Sequence, residues 1–204
     1  MFEEKLIVFV KAPRPGTVKT RLADSLGVAA ACGAYRVLVE TLLRRLARLE
    51  NVELRFAPDD AATEIEPWLR KTWQAAAQGA GDLGERLHRA FEAAFADGSR
   101  QVMVIGSDCP DITSEDIDAA WSALKENDLV LGPATDGGYW LIGLRQPQPA
   151  LFQNIPWSTA TVFQETVARA KAVGLSVKLL RQLRDVDTAQ DWHAFLAARS
   201  SSAG

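Results

Sequence analysis

Residues 5–21 read KLIVFVKAPRPGTVKTR, an apolar hexapeptide followed by a turn rich in proline, glycine and basic residues. Residues 5–10 have the length and composition of a buried strand, which the turn then ends. The pattern over residues 28–49 is helical, with Leu38, Leu42, Leu46 and Leu49 on one stripe. The chain therefore opens as a strand, a loop and a helix.

The same alternation of strand and helix continues along the chain. Further strands are predicted over residues 52–56, 73–77, 102–105, 129–131, 139–144 and 175–180. Helices are predicted from a cap at Asp59 or Asp60 to Leu69, from Leu83 to about Gly98, from a Thr113 cap to about Lys125, and over residues 159–173 and 188–198. This order predicts an α/β fold, a three-layer α/β/α sandwich with a mostly parallel central sheet.

The 204 residues, 48% of them hydrophobic, suffice for one substantial core and are too few for two comfortable enzyme domains. We predict a single domain over residues 1–199 and a disordered tail over residues 200–204. Acidic residues lie near the N-terminus where a secretory signal would be basic, and no run of about eighteen apolar residues occurs. A cytoplasmic location and no membrane partner are therefore expected.

The distribution of charge and of metal-binding residue types restricts the ligands. A net charge of -3 argues against broad nucleic-acid binding, yet residues 11–21 hold four basic residues and no acidic one, which suits a small polyanion. The two cysteines, Cys32 and Cys109, form no zinc or disulfide pattern. With only His88 and His193 present, a divalent metal should be a hard ion held by carboxylates, magnesium or manganese.

Loops after parallel strands meet at one edge of a sheet, where ligands of such folds bind. The first of these loops, residues 11–21, can surround a polyphosphate with its amides near Gly16 and with the side chains of Arg14, Lys19 and Arg21. The alternative is a solvated basic loop, since the sequence is neither Gly-x-Gly-x-x-Gly nor a Walker A motif. Lys19 and Arg21 are the predicted principal contacts.

Two later loops bring carboxylates to the same edge. GSDCPD (residues 106–111) places Asp108 after a strand, where a metal can bridge protein and phosphate. DVDT (residues 185–188) offers Asp185 and Asp187, which project the same way if the segment is extended. Either one can join Asp108 on a metal. The alternatives are a turn aspartate at position 108 and a helix-capping aspartate at position 187.

Six motifs occur in order between Lys5 and Trp192: KAPRPGTVKTRLA, GDLGERL, VIGSDCPDI, LGPATDGGYWLIGL, PWST and DVDTAQDW. Together they resemble a bacterial family of GT-A-like proteins in the nucleotide-diphospho-sugar transferase superfamily, commonly labelled glycosyltransferases. That family is similar to the phospholactate and phosphoenolpyruvate guanylyltransferases of coenzyme F420 biosynthesis. The resemblance implies a GT-A-like fold, a magnesium or manganese ion, and transferase activity on a nucleotide.

The resemblance also implies roles for individual residues. Asp108 matches the metal-binding aspartate of the guanylyltransferases, and Asp187 is favoured over Asp185 as the second ligand. The nucleotide would be bound by the basic loop and by the base and ribose loop at residues 78–84: Lys11, Arg14, Gly16, Lys19, Arg21, Gly79, Gly81, Asp82 and Gly84. The acceptor would be bound by Asp136, Gly137, Gly138, Tyr139, Trp157 and Ser158. For the two glycine-containing loops, the alternatives are an ordinary start of a helix and a tight turn.

The preferred reaction is nucleotidyl transfer, in which a phosphorylated or carboxylated acceptor attacks the α-phosphorus of a nucleoside triphosphate and pyrophosphate leaves. This chemistry needs positioning and charge neutralisation more than a nucleophilic side chain. Lys19 and Arg21 would stabilise the pyrophosphate, and Asp108 would hold the metal. One alternative is a GT-A glycosyltransferase using a nucleotide sugar, although its usual Asp-x-Asp is not reproduced around Asp108. The other is a nucleotide-binding protein without turnover.

Overall fold

The computed structural model of the protein describes residues 3–201. Its strands are β1 (Glu4–Lys11), β2 (Val52–Ala57), β3 (Gln74–Ala77), β4 (Gln101–Gly106), β5 (Leu129–Pro133), β6 (Tyr139–Leu144) and β7 (Val177–Leu179). They form one seven-stranded sheet in the order β3-β2-β1-β4-β6-β5-β7. Neighbouring strands are parallel except that β6 runs antiparallel to both β4 and β5.

The reversal at β6 follows from the length of its connection to β5. Only residues 134–138 separate the two strands, whereas a crossover between parallel strands needs a dozen residues or more. All the other strands point their carboxyl ends toward the same edge, and the 134–138 turn also lies there. This edge, the carboxyl edge, therefore contains the predicted site loops at residues 11–21, 78–84, 106–111, 136–138 and 185–188.

The helices are α1 (Thr20–Leu26), α2 (Val28–Arg45), α3 (Ala62–Ile65), α4 (Leu83–Ala96), α5 (Ser114–Leu124), α6 (Val162–Ala172) and α7 (Ala189–Ser201). Helix α1 was not predicted, and the predicted helix 28–49 ends at Arg45. The predicted cap at Asp59 or Asp60 is wrong, because α3 begins after Ala61 without a side-chain cap. This helix is also shorter than predicted, since a 3-10 turn containing Pro67 follows it.

Strand β1 is apolar on both faces because both faces are covered. Leu6 and Val8 pack in one hydrophobic cluster with residues of α2 and α5, whereas Ile7 packs in a second cluster with residues of α4 and α6. A central parallel strand buried on both sides reads as a continuous apolar run, which is what residues 6–10 show. The predicted three-layer α/β/α architecture is confirmed.

Two helices at the carboxyl edge, α4 and α5, begin with side-chain caps. Thr113 and Asp116 form a capping box at α5, as the predicted Thr113 cap requires, and Asp82 forms one with Glu85 at α4. Helix α7 includes residues 200 and 201 of the predicted tail, and residues 202–204 lie outside the described part of the chain. Across residues 3–201, no helix combines the length and the apolar character needed to cross a membrane.

Candidate functional site

The ammonium group of Lys19 joins two carboxylates that are far apart in sequence. Lys19 Nζ lies 2.6 Å from Asp108 Oδ1 and 2.8 Å from Asp187 Oδ1. The three residues come from the loops after β1, β4 and β7, so they meet at the carboxyl edge. The Lys19 side chain is 4% exposed, whereas those of Asp108 and Asp187 are 51% and 36% exposed. The structure thus brings together a predicted phosphate-binding lysine and both predicted metal ligands, with the carboxylates open to solvent.

Two ion pairs hold Lys19 in place although its backbone conformation is unfavourable. Its φ of 49° and ψ of 47° place it in the left-handed region, at the N-cap of α1. For a non-glycine residue this conformation costs on the order of 1 kcal/mol or more. Burial alone would lower the pKa of Lys19, but Asp108 and Asp187 outweigh burial and raise the pKa above its ordinary value. Lys19 is therefore a charged ammonium fixed by two ion pairs.

Tyr35, which sequence reasoning missed, ties two of these loops together. Its hydroxyl accepts a hydrogen bond from the Lys11 amide at 2.8 Å and lies 3.1 Å from Ser107 Oγ. Burial raises the pKa of Tyr35 to about 12, so the phenol stays neutral. Tyr35 lies within the helix predicted over residues 28–49, and nothing in that helical pattern indicates its link to Ser107.

The Asp185 and Asp187 carboxylates have different partners. Asp185 accepts a hydrogen bond from the buried thiol of Cys109, whereas Asp187 accepts one from Lys19. Burial raises the pKa of Cys109 far above its usual value, so the thiol stays neutral. Thr188 and Asp191 make reciprocal hydrogen bonds at the start of α7. The helix is thus capped without Asp187, whose carboxylate remains at the site.

Asp185 should make the stability of the protein depend on pH. Burial raises its pKa from 3.8 to about 6 despite the Cys109 hydrogen bond, and Asp136 adds to the rise. The pKa of Asp185 is higher in the folded state than in the unfolded state, so the protonated carboxyl group favours folding. This contribution to stability is complete below about pH 4 and is lost as the pH rises through about 6. At pH 8, Asp185→Asn should therefore unfold at a higher urea concentration than the unmodified protein. Its free energy of unfolding should be greater by up to about 3 kcal/mol, at roughly 1.4 kcal/mol per pKa unit.

The difference between the two proteins should vanish near pH 4. Asp24→Asn, which changes an exposed aspartate of α1, is the control and should leave the pH dependence unaltered. Equal urea midpoints for Asp185→Asn and the unmodified protein at pH 8 would contradict this prediction.

The other basic side chains of residues 11–21 do not converge on Lys19. Arg14 Nε lies 2.9 Å from Glu64 Oε1, and its Nη2 lies 3.1 Å from Asp60 Oδ1, so Arg14 is neutralised by the segment that precedes and includes α3. Arg21 is 77% exposed, with Nη1 3.9 Å from Asp187 Oδ2. Lys11 and Gly16 are exposed. Of the predicted cradle, only Arg21 lies next to the Lys19 cluster.

The predicted base and ribose loop, residues 78–84, is anchored on its buried side. The amide group of Gln78 donates to the carbonyls of Val10 and Arg55, which fixes the loop beside the end of β1. Arg89 of α4 donates to the carbonyls of Gln78 and Ala80. The Gly79 amide donates to Asp59, so the aspartate that was predicted to cap a helix holds this loop instead.

Gly84 provides room for Trp157, which the sequence placed in the acceptor site. A Cβ atom on Gly84 would lie 2.5 Å from the Phe152 carbonyl oxygen and 2.6 Å from Trp157 Nε1. Gly84 is buried, so its position favours a packing role over direct nucleotide contact. The contact joins the predicted base and ribose loop to the loop that carries Ser158, which is exposed.

The predicted acceptor turn at residues 136–138 is a tight turn between β5 and β6. Asp136 Oδ1 accepts a hydrogen bond from the Gly138 amide at 2.9 Å. Asp136 is exposed and near enough to Asp185 to raise its pKa. The Tyr139 hydroxyl, however, is buried, and burial raises its pKa well above the usual value. The structure therefore brings Asp136 to the edge but turns the Tyr139 hydroxyl into the core beside α6, because Tyr139 packs with the second hydrophobic cluster.

The donor set suits a magnesium ion that also binds phosphate. Among residues 3–201, no group of three or more His, Cys, Asp or Glu side chains is arranged to hold a metal. Magnesium, however, commonly takes one or two carboxylates and completes its octahedron with phosphate and water. Asp108 and Asp187 provide two solvent-facing carboxylates, and the Lys19 ammonium already places a cation against both. These residues fit the ion.

Comparison with protein families identifies the group to which this site belongs. Residues 42–159 match the family model described as "Uncharacterized protein conserved in bacteria (DUF2064)". The chain belongs to this family. The matched segment covers more than half of the chain and includes residues 78–84, the Asp108 loop and the 136–138 turn.

Two relatives of the DUF2064 protein are guanylyltransferases. A phosphoenolpyruvate guanylyltransferase from Sphaerobacter thermophilus is 30% identical over 213 residues, covering 97% of this chain and 98% of the relative. A 3-phospho-D-glycerate guanylyltransferase from Phenylobacterium zucineum is 33% identical over 146 residues, covering 70% of this chain and 60% of the relative. The predicted resemblance to guanylyltransferases is confirmed as a distant homology.

Solved structures confirm the predicted fold. A candidate nucleotide-diphospho-sugar transferase from Desulfovibrio desulfuricans is 40% identical, with a TM-score of 0.90, covering 96% of this chain and 87% of that one. Two more distant structures share the fold. A CMP-2-keto-3-deoxy-manno-octonic acid synthetase in complex with CTP is 9% identical, with a TM-score of 0.62, covering 98% of this chain and 99% of that one. A Mycobacterium tuberculosis protein with manganese is 15% identical, with a TM-score of 0.57, covering 96% of this chain and 98% of that one. At these identities the last two show the fold alone.

Proposed function

We propose that this DUF2064 protein is a metal-dependent nucleotidyltransferase, which transfers a nucleotidyl group from a nucleoside triphosphate to a small phosphorylated or carboxylated acceptor and releases pyrophosphate. The observation that carries the proposal is the meeting of Lys19, Asp108 and Asp187 at the carboxyl edge. Nucleotidyl transfer requires positive charge for the polyphosphate and carboxylates for a metal, and this cluster supplies both. The distant homology to guanylyltransferases supports this reaction class and makes GTP the first triphosphate to test.

Each residue of the cluster has a proposed role. Lys19 and the exposed Arg21 bind the β- and γ-phosphates and stabilise the departing pyrophosphate. Asp108 and Asp187 would hold magnesium, which when bound neutralises phosphate charge and polarises the phosphoryl group. The nucleoside lies along residues 78–84, beside the end of β1, where Gly79 and Gly81 expose backbone to it. Lys11 and Gly16 are exposed in the same loop as Lys19, and Arg14 ties this loop to α3 through Glu64.

The acceptor is proposed to lie between the 136–138 turn and the loop that carries Ser158. The turn touches the end of this loop, since a Cβ atom on Gly137 would lie 2.1 Å from the Ala160 carbonyl oxygen. The Gly137 carbonyl also accepts a hydrogen bond from the amide of Phe163, at the start of α6, at 2.9 Å. Asp136 and Ser158 are exposed there. Both relatives are named for acceptors that combine a phosphate with a carboxylate, so such a compound is the acceptor class to test first.

Glycosyl transfer from a nucleotide sugar is the second candidate. The observation in its favour is the 40% identity to the D. desulfuricans structure described as a candidate nucleotide-diphospho-sugar transferase. Against it, the segment GSDCPD contains one aspartate before Asp111 and no Asp-x-Asp.

One assay separates these candidates. The protein is incubated with magnesium and each nucleoside triphosphate, with phosphoenolpyruvate or 3-phosphoglycerate as acceptor, and pyrophosphate release is followed by a coupled enzymatic reaction. We expect release that needs acceptor and metal together and stops on chelation. Parallel reactions with nucleotide sugars monitor nucleoside diphosphate. Release of nucleoside diphosphate alone would favour glycosyl transfer, and nucleotide binding without either product would favour a non-catalytic role.

A further inference from the structure

The position of the Lys19 ammonium bears on how a metal can reach Asp108 and Asp187. Nζ lies within 2.8 Å of one oxygen of each carboxylate, and the lysine side chain is 4% exposed. Magnesium binds oxygen at about 2.0–2.1 Å. An ion bridging the same two oxygens therefore either occupies the space of the ammonium or lies close against it, where like charges repel. Lys19 in this position opposes binding of a free divalent ion.

A polyphosphate supplies the means to remove this opposition. The lysine ammonium is a point charge on a flexible four-carbon chain, and phosphate oxygens compete for it. Once phosphate binds the Lys19 ammonium, the negative charge of the two carboxylates is no longer neutralised. They then bind a divalent ion more strongly.

We propose that Lys19 makes metal binding by this protein conditional on polyphosphate. Its ammonium group pairs with the carboxylates of Asp108 and Asp187 until the phosphates of a nucleotide bind the ammonium instead. The site therefore binds a metal together with a polyphosphate in preference to a free metal. The proposal rests on the proposed function, because it assumes that Asp108 and Asp187 bind the metal. It predicts effects of opposite sign for one substitution. Lys19→Met strengthens the binding of free metal and weakens the binding of polyphosphate.

The test measures the binding of Mn²⁺ without nucleotide, by electron paramagnetic resonance of the free ion. Lys19→Met should bind Mn²⁺ more tightly than the unmodified protein, within the roughly 5- to 150-fold range typical of coupled sites. The matched control is Lys71→Met, which removes an exposed lysine before the amino end of β3, at the opposite edge of the sheet. Lys71→Met should leave Mn²⁺ affinity unchanged. Equal affinities in all three proteins would overturn the proposal.

A second measurement needs no variant and applies even if Lys19→Met fails to fold. Calorimetric titration of the unmodified protein with pyrophosphate, with and without Mn²⁺, and with the heat of the same titration in protein-free buffer subtracted, should show tighter binding in the presence of the metal, because coupling between two ligands is reciprocal. Equal pyrophosphate affinity in the two titrations would overturn the exchange. Failure of the proposed function is distinct, since the protein would then release no pyrophosphate from any triphosphate in the assay described above.

Discussion

Asp108→Asn should abolish metal-dependent nucleotidyl transfer while the protein stays folded. The carboxylate is 51% exposed and one of two that face the Lys19 ammonium, so its loss removes charge from the site without opening the core. The rate of pyrophosphate release should fall by at least about 10²-fold, the loss that follows removal of a single preorganised charge-stabilising group. Asparagine preserves volume, so the effect reports charge.

The control for this prediction lies in the same loop. Asp111→Asn removes a carboxylate that sits 3.5 Å from Arg45 and takes no part in the Lys19 cluster, and it should leave the rate nearly unchanged. Asp187→Asn should resemble Asp108→Asn, and the double variant should be little worse than either one, because residues that act on one ion are not additive. Retention of full activity and of ordinary metal titration by Asp108→Asn would exclude it as a ligand.

Gly137→Ala should destabilise the fold by at least about 2 kcal/mol, through backbone strain and overpacking together. Gly137 has a φ of 92°, and a Cβ atom there would lie 2.1 Å from the Ala160 carbonyl oxygen, which belongs to the backbone and has little freedom to move. The free energy of unfolding, measured in urea, should fall accordingly, and the 136–138 turn should separate from the segment before α6.

Gly16→Ala is the matched control for Gly137→Ala. Gly16 has a similar φ of 82°, but a Cβ atom there meets no atom within 4 Å, so only the strain remains. Its cost should be about 1 kcal/mol. If the two variants lose equal stability, the contact with Ala160 is not the cause.

The fold was largely predictable because its five central strands are buried on both faces and two of its helices begin with capping boxes. The apolar run of β1 and the Thr113 cap both indicated the correct elements. Helix α1 is only seven residues long, too short for a periodic pattern to register. The α3 segment was overestimated because its candidate caps serve other partners, Asp59 the Gly79 amide and Asp60 the Arg14 guanidinium.

The convergence of Lys19, Asp108 and Asp187 was predictable from one rule, that loops after parallel strands share an edge. The partners of individual side chains were not predictable. The pairing of Arg14 with Glu64 depends on where α3 lies, and the burial of the Tyr139 hydroxyl depends on which face of β6 is covered by α6. The spacing of residues in the sequence predicts neither the Arg14–Glu64 pairing nor the burial of the Tyr139 hydroxyl.

The central place of β1 in the sheet has a consequence for the chain as it leaves the ribosome. β1 is made before the other six strands described here, yet one of its two neighbours, β4, begins at Gln101, 90 residues after β1 ends at Lys11. At typical translation rates of about 5–20 residues per second, that interval lasts roughly 5–18 s. During it, one edge of an apolar strand has no native partner, which is a condition that favours association with other chains. Slower growth at reduced temperature, or chaperones that shield nascent strands, should therefore influence the yield of folded protein more than changes near the C-terminus.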